Sequence, residues 1–346
     1  MTAISTISEL LTLSQTQFRI YDIGRKIDKI SKEQFNKIEL NQIPYPFPLQ
    51  GHASLAIVFW QKNTNTPYLW FIKLPLDEQG LLNQAARDHF IAIIIEALGA
   101  NLTTVPNEQQ EELLKNNPYH FTPATYKLAA LNSKIKIELK QAPSSYFTVF
   151  HSYLSYLSNW SEWQNIGVQG ITDYAASINQ NDHGDILAQA LLYLPEEVLF
   201  PLCTALENET LPANVIQALI KSLKSTFIQT NENTPEIQQH LIRGLASSTQ
   251  HPYVINFISE LLQQESLSED ILITLSARCW ILWQDQNLLL QYFEKLVRTD
   301  SILFTPIFKD LVAIPSIRNV VLASIRIPER SSALSKAIGE LFTANS

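Results

Sequence analysis

The chain has 346 residues, room for two domains or for a repeat array with a head. Hydrophobic residues make up 46% of it, so a packed protein is expected rather than disorder, and only 9 glycines argue against glycine-rich nucleotide loops and for helix. The net charge of −8 is uneven: residues 1–150 hold 14 basic against 13 acidic residues, 151–270 hold 3 against 14, and 271–346 hold 8 against 6. The acidic middle repels phosphate backbones, which argues against broad nucleic-acid binding there, and it welcomes a basic partner; the plainer reading is a surface that keeps the protein soluble.

The opening segment MTAISTISELLTLSQTQ lacks the basic region, apolar core and cleavage site of a signal peptide, and its apolar spacing predicts a helix over about 3–15. Residues 18–30, FRIYDIGRKIDKI, read as extended, followed by a short helix or turn at KEQFNKIEL. Pro44, Pro46 and Pro48 forbid regular ladder bonding at PYPFP. Residues 53–60 and 67–74 are apolar, β-branched and aromatic, and flank the polar QKNTNT, which predicts a hairpin covered on both faces. A helix over 83–98, with Phe90, Ile94 and Leu98 on one stripe, is the expected cover. Glu96 interrupts the longest apolar run, so no membrane span is expected. Residues 101–118 read as a loop, and KIKIELK at 134–140 as a strand with one exposed face. Aromatic helical sequence continues to about 176, through Trp160 and Trp163.

From 182 onward nearly every segment has helical period. Pro195 and Pro235 lie 40 apart, as do Pro212 and Pro252, a repeat length that fits two helices of an α-solenoid. Helix pairs are placed near 195, 235, 269 and 302, with Pro201 inside the first helix. The segments resemble degenerate HEAT repeats. Helix 184–193 is expected to seal one end and helix 330–342 the other. The expected fold is therefore an α+β N-terminal domain, residues 1–176, followed by an all-α solenoid of HEAT-like helical hairpins, residues 177–346.

The segments YDIGRKI at 21–27, PYPFPLQ at 44–50, the FW at 59–60, WFIKLPLDEQG from 70 and AARDHF ending at 90 carry a second resemblance. Through them the chain resembles a gammaproteobacterial family of uncharacterised proteins labelled only as a domain of unknown function. That likeness covers most of the chain, implies a cytoplasmic bacterial protein, and carries no activity or site residues.

Among motifs that bear chemistry, there is no phosphate loop, dinucleotide fingerprint, nucleophile elbow or paired-histidine zinc motif. No two of the seven histidines are four apart, and no cofactor or metal is expected. NDHGD at 181–185 groups Asp182, His183 and Asp185; a helix N-cap is the plainer reading, a metal the sharper one. Cys203 and Cys279 sit in apolar helical patterns, which fits inert thiols and a reducing, cytoplasmic compartment. In the head, Asp22, Arg25 and Lys26 crowd together beside Asp28 and Lys29, either as a ligand site or as an internal ion-pair network. Lys73, Asp77, Arg87 and Asp88 form a second group, in which a buried Lys73 needs a carboxylate partner. The tryptophan pairs Trp160/Trp163 and Trp280/Trp283 read as core, with a role as interface anchors in a groove as the alternative.

Two functions compete. One is a protein-binding adaptor that takes a basic partner segment on the acidic array, through Glu196, Glu197, Glu207 and Glu209. The other is an enzyme or small-ligand site in the head, near Asp22, Arg25, Lys26, Lys73, Asp77 and Arg87. Nucleic-acid binding through Lys309, Arg318, Arg326, Arg330 and Lys336 is a weaker third, because interleaved aromatics are missing.

Overall fold

A computed structural model describes residues 4–61, 67–99, 102–103, 107–156, 160–228 and 232–343. They form two compact units, one up to Pro123 together with Ala313–Pro315, the other from Ala124 to Val312 and from Ser316 onward. The division at Pro123 lies upstream of the 176 expected from sequence.

The first unit holds helix α1 (Ile7–Leu13), strands β1 (Thr16–Asp22) and β2 (Asp28–Ile30), helix α2 (Lys32–Glu39), strands β3 (His52–Gln61) and β4 (Tyr68–Pro75), and helices α3 (Gln84–Leu98) and α4 (Glu108–Lys115). The sheet is antiparallel throughout, in the order β2-β1-β3-β4. The hairpin of β3 and β4 is as expected, and β1 lies along the other side of β3 with Phe18 opposite Phe59. β3 is buried along almost all its length, but Tyr68 on β4 is exposed, so cover is less complete at that edge. The chain after α4 closes part of it: Lys73 donates its amide to the Tyr119 carbonyl at 2.8 Å, and Phe121 donates to Phe71 at 3.2 Å. α3 packs on β4, with Phe90 edge-on to Trp70 at 5.9 Å. The N-terminus of α1 is capped from a distance. The buried carboxylate of Glu39 accepts from the amides of Ile7 (2.6 Å) and Ser8 (3.0 Å). Residues 101–118 were expected as a loop, and α4 corrects that. Asn107 and Gln110 form a reciprocal capping box, a start signal that the flanking prolines overshadow.

The second unit is helical. It holds α5 (Thr125–Glu138), α6 (Ser145–Ser155), α7 (Val168–Ala176), α8 (His183–Ala190), α9 (Glu196–Leu206), α10 (Ala213–Thr226), α11 (Thr234–Gly244), α12 (Pro252–Leu262), α13 (Glu269–Arg278), α14 (Gln286–Thr299), α15 (Phe304–Ala313), α16 (Pro315–Ser324) and α17 (Ser332–Thr343). The helices from α5 to α14 alternate between two layers. Along one, α5, α7, α9, α11 and α13 pack each on the next; along the other, α6, α8, α10, α12 and α14 do so. The four predicted pair starts fall at α9, α11, α13 and just ahead of α15, and α17 packs on α14 near the end of the chain.

Two expectations fail here. KIKIELK is not a strand but mostly the end of α5. Three alternating apolar residues do not separate a period of 2 from one of 3.6. The longer spacing Leu128, Leu131, Ile135 decides for helix, with Leu131 and Ile135 buried and Ile137 left exposed. The segment 184–193 does not seal an end either: α8 packs between α6 and α10. The layered helices thus begin at α5, two pairs earlier than the repeat spacing of the prolines indicates.

α6 and α7 meet backbone to side, because Gly170 in α7 lies directly beneath the carbonyl of Tyr146 in α6. A methyl group built on Gly170 collides with that oxygen. Gly170→Ala is expected to force the two helices apart, cost about 2 kcal/mol and lower the melting midpoint by about 5 °C in calorimetry. An unchanged midpoint would mean that the helices do not approach this closely.

Candidate functional site

In the first unit, the segments YDIGRKI and PYPFP are one structural device. Asp22, at the end of β1, is fully buried and accepts from the Tyr45 hydroxyl at 2.5 Å. Arg25, also buried, donates Nε to the Pro48 carbonyl at 2.7 Å. Lys26 pairs with Asp28 at 3.1 Å and lies 5.6 Å from the Phe47 ring centre. Burial, then the Asp22 carboxylate, push the Tyr45 hydroxyl well above its ordinary pKa. These groups hold the proline-spaced segment against the sheet, which is the ion-pair reading of this cluster in a more buried form.

The second head cluster is not assembled as expected. Arg87 is buried and donates to the Glu39 carbonyl and to Asp88, at 2.6 Å from Nη2. Asp77 is an exposed turn residue whose carboxylate accepts from the amides of Gln79 (2.9 Å) and Leu81 (2.8 Å). Lys73 is half-buried, and among the described residues no ion pair joins it to Asp77 or Asp88. A lysine can lay its stem on an apolar strand and keep its head in water, which removes the need for the carboxylate partner.

The four glutamates proposed on the array separate into two kinds. Glu207, just past α9, is buried and takes Arg243 of α11 in a two-point pair, at 2.8 Å from Nη2, with Arg278 of α13 3.7 Å away. Glu209 pairs with Lys134 of α5 at 3.0 Å. Both stitch helices together and are not partner-facing. Glu196 and Glu197 open α9, where Glu196 accepts from Asn233 at 2.8 Å and Glu197 is exposed. The same position recurs along the layer, with Glu232 and Glu236 at the start of α11 and Glu269 and Asp270 opening α13, all exposed. Beside the start of α9 lies an open groove of about 600 Å³, lined by Leu191, Leu194, Pro195, Ser222, Thr226 and Ile237 and rimmed by Glu196 and Glu197. Leu192 and Tyr193 are exposed next to it.

A second cavity, about 380 Å³, is lined by residues of α5, α6, α7, the turn before α8 and the start of α8, among them Lys136, Lys140, Phe147, Asp173 and His183. Asp173 is buried; desolvation raises its pKa, but donors outweigh that and hold the carboxyl below its usual range. They are the Ser133 hydroxyl (2.6 Å), the Ser144 amide (2.7 Å) and the Gln169 amide (2.9 Å). Asp182 occupies the N-cap position of α8, yet its side chain accepts no capping bond, which corrects the capping reading of NDHGD.

The remaining candidates resolve simply. Burial pushes both thiols, Cys203 and Cys279, up to about 12, where almost no thiolate exists at neutral pH. Trp280 and Trp283 are buried, whereas Trp160 is half-buried and stacks on Tyr193. Of the five basic C-terminal residues, Arg318 donates to the Val312 carbonyl at 2.8 Å and Arg330 to that of Ile325, so two are spent on their own chain. No helix among the described residues is long and apolar enough to cross a membrane.

A family model described as protein of unknown function (DUF3549) matches residues 2–342, almost the whole chain and both units. The chain belongs to this family. No curated protein and no solved structure matches it. The DUF3549 match thus brings no activity to the geometry described above, and the site rests on that geometry alone.

Sequence reasoning missed Asp173 and Glu39. An aspartate inside the apolar run GITDYAA was the available signal for the first. The second had none, since its partners lie 31 and 32 residues away.

Two outcomes follow from these buried pairs. Tyr45 has a raised folded-state pKa, so its contribution is complete below the unfolded value near 10 and is lost as pH rises past it. Tyr45→Phe is expected to cost about 2 kcal/mol at pH 7 by leaving Asp22 short of a donor, and to flatten the alkaline fall in stability measured by urea titration. Glu207→Gln is expected to cost about 2 kcal/mol, since the partly buried Arg243 loses its carboxylate partner. A urea midpoint equal to wild type would remove Glu207 from the stitching role.

Proposed function

We propose that this protein is a cytoplasmic adaptor, a HEAT-like α-solenoid that binds a basic, partly apolar segment of another protein along its acidic edge. The supporting observation is the repeated pair of carboxylates at the starts of α9, α11 and α13, with a groove of mixed polar and apolar lining beside the start of α9. Among the described residues none of Glu197, Glu232, Glu236, Glu269 and Asp270 is in an ion pair. A helix N-terminus carries about half a positive charge, so two carboxylates outweigh it and leave each helix start at about −1.5. Such an edge attracts a cationic segment, and the groove offers leucine and isoleucine side chains for its apolar residues. The alternative, a small-ligand site in the first unit, is less favoured, because Asp22, Arg25 and Arg87 are buried and bonded within their own unit.

The reading predicts salt-sensitive capture of a protein partner by the tagged full chain from its native cell. Glu197→Lys, Glu236→Lys and Glu269→Lys together are expected to abolish that capture at low salt. Each costs no more than about 1 kcal/mol of helix-dipole stabilisation, so the fold should persist. Undiminished capture by the folded triple variant would remove this edge as the binding surface.

A further inference from the structure

We propose that His151, Asp182 and His183 form a binding site for a divalent ion of the zinc class. Asp182 and His183 are neighbours in sequence, and His151, far upstream, is brought to them where α6 packs on α8. One ligand atom from each lies within 4.8 Å of the others.

The state of each side chain supports the assignment. His183 is 5% exposed, and its Nδ1 faces the Ser177 carbonyl at 2.9 Å. That bond places the proton on Nδ1 and leaves the Nε2 lone pair free, the tautomer that binds a metal through Nε2. Its backbone is fixed as well, because the Tyr174 hydroxyl donates to the His183 carbonyl at 2.8 Å. Asp182 stands at a helix start without capping it. Among the described residues neither the Asp182 carboxylate nor the His151 ring has a hydrogen bond, although His151 packs against Phe147, Tyr174 and His183. Among the described residues the Asp182 carboxylate and the His151 ring are thus free of hydrogen bonds, and His183 keeps its Nε2 available.

Bonds of about 2.0–2.1 Å to a tetrahedral ion place ligand atoms about 3.3 Å apart. Side-chain rotation of exposed Asp182 and half-buried His151 closes the remaining distance onto the fixed His183. Two imidazoles and one carboxylate select zinc, cobalt or nickel over magnesium and calcium, which prefer all-oxygen sites. Three protein ligands leave a fourth position for water or another ligand. His183 and Phe147 also line the 380 Å³ cavity, where Lys136 and Lys140 suit an anionic fourth ligand.

The test uses the full chain, freed of metal with a chelator and then titrated with Zn²⁺ by calorimetry and with Co²⁺ by visible absorption. One ion per chain is expected, with the intense visible bands of four-coordinate cobalt and no response to Ca²⁺ or Mg²⁺. His151→Ala and Asp182→Ala are expected to weaken Zn²⁺ binding more than about tenfold; in the exposed Asp182→Ala variant the metal-free melting midpoint stays unchanged. Absence of Zn²⁺ binding, or Zn²⁺ binding of equal strength in the folded His151→Ala/Asp182→Ala variant, would overturn the assignment.

Discussion

A helix pair with apolar residues on its inner and outer faces has no core of its own until the next pair is laid against it. The second unit answers this requirement from α5 to α14: each helix finds its neighbour one pair along, in its own layer, and leucine, isoleucine and valine fill the seams. Polar groups buried in these seams must then find partners from the neighbouring helices. Asp173 meets three hydrogen-bond donors, and Glu207 meets two arginines from successive pairs. Each polar group ties a particular neighbour into place, so the order of packing is specified by chemistry that generic apolar contact lacks.

The same contrast explains which parts of the fold were legible in the sequence. The β3–β4 hairpin and helices α3, α9, α10 and α11 have long periodic patterns with clear punctuation, and local pattern is enough for them. Residues 134–140 and 107–115 failed because each is short and its local pattern is ambiguous, so neighbours decide. The end of α5 becomes helix because Leu131 and Ile135 need the core. The extent of the layers was hidden for a different reason. Pro123 and Pro143 precede α5 and α6 but fall outside the 40-residue spacing, α7–α8 has no proline, and the aromatic composition here, rich in Tyr146, Phe147 and Phe150, resembles the head.

The candidate site was legible only in part. The sequence places an acidic surplus in residues 151–270, and the exposed carboxylates at the starts of α9 and α11, with those opening α13, are part of its surface portion. Sequence alone does not separate these from Glu207 and Glu209, since all four glutamates sit within fourteen residues and only burial tells them apart. Nor does it bring His151 to His183: that proximity is a product of layer packing, and one histidine in an aromatic helix carries no signal of its own.

Helices in one layer of an alternating array run in the same direction. In the layer containing α9, α11 and α13, carboxylates crowd the helix starts, while at the opposite ends Arg243 and Arg278 stand beside Glu207, which offsets their charge. The side chains therefore set up a transverse electric moment opposed to that of the peptide groups, and by magnitude they prevail. A cationic body with its charge on one side, approaching this edge, feels a torque as well as an attraction. It is turned before it touches, over a range that shrinks to about 8 Å at physiological ionic strength.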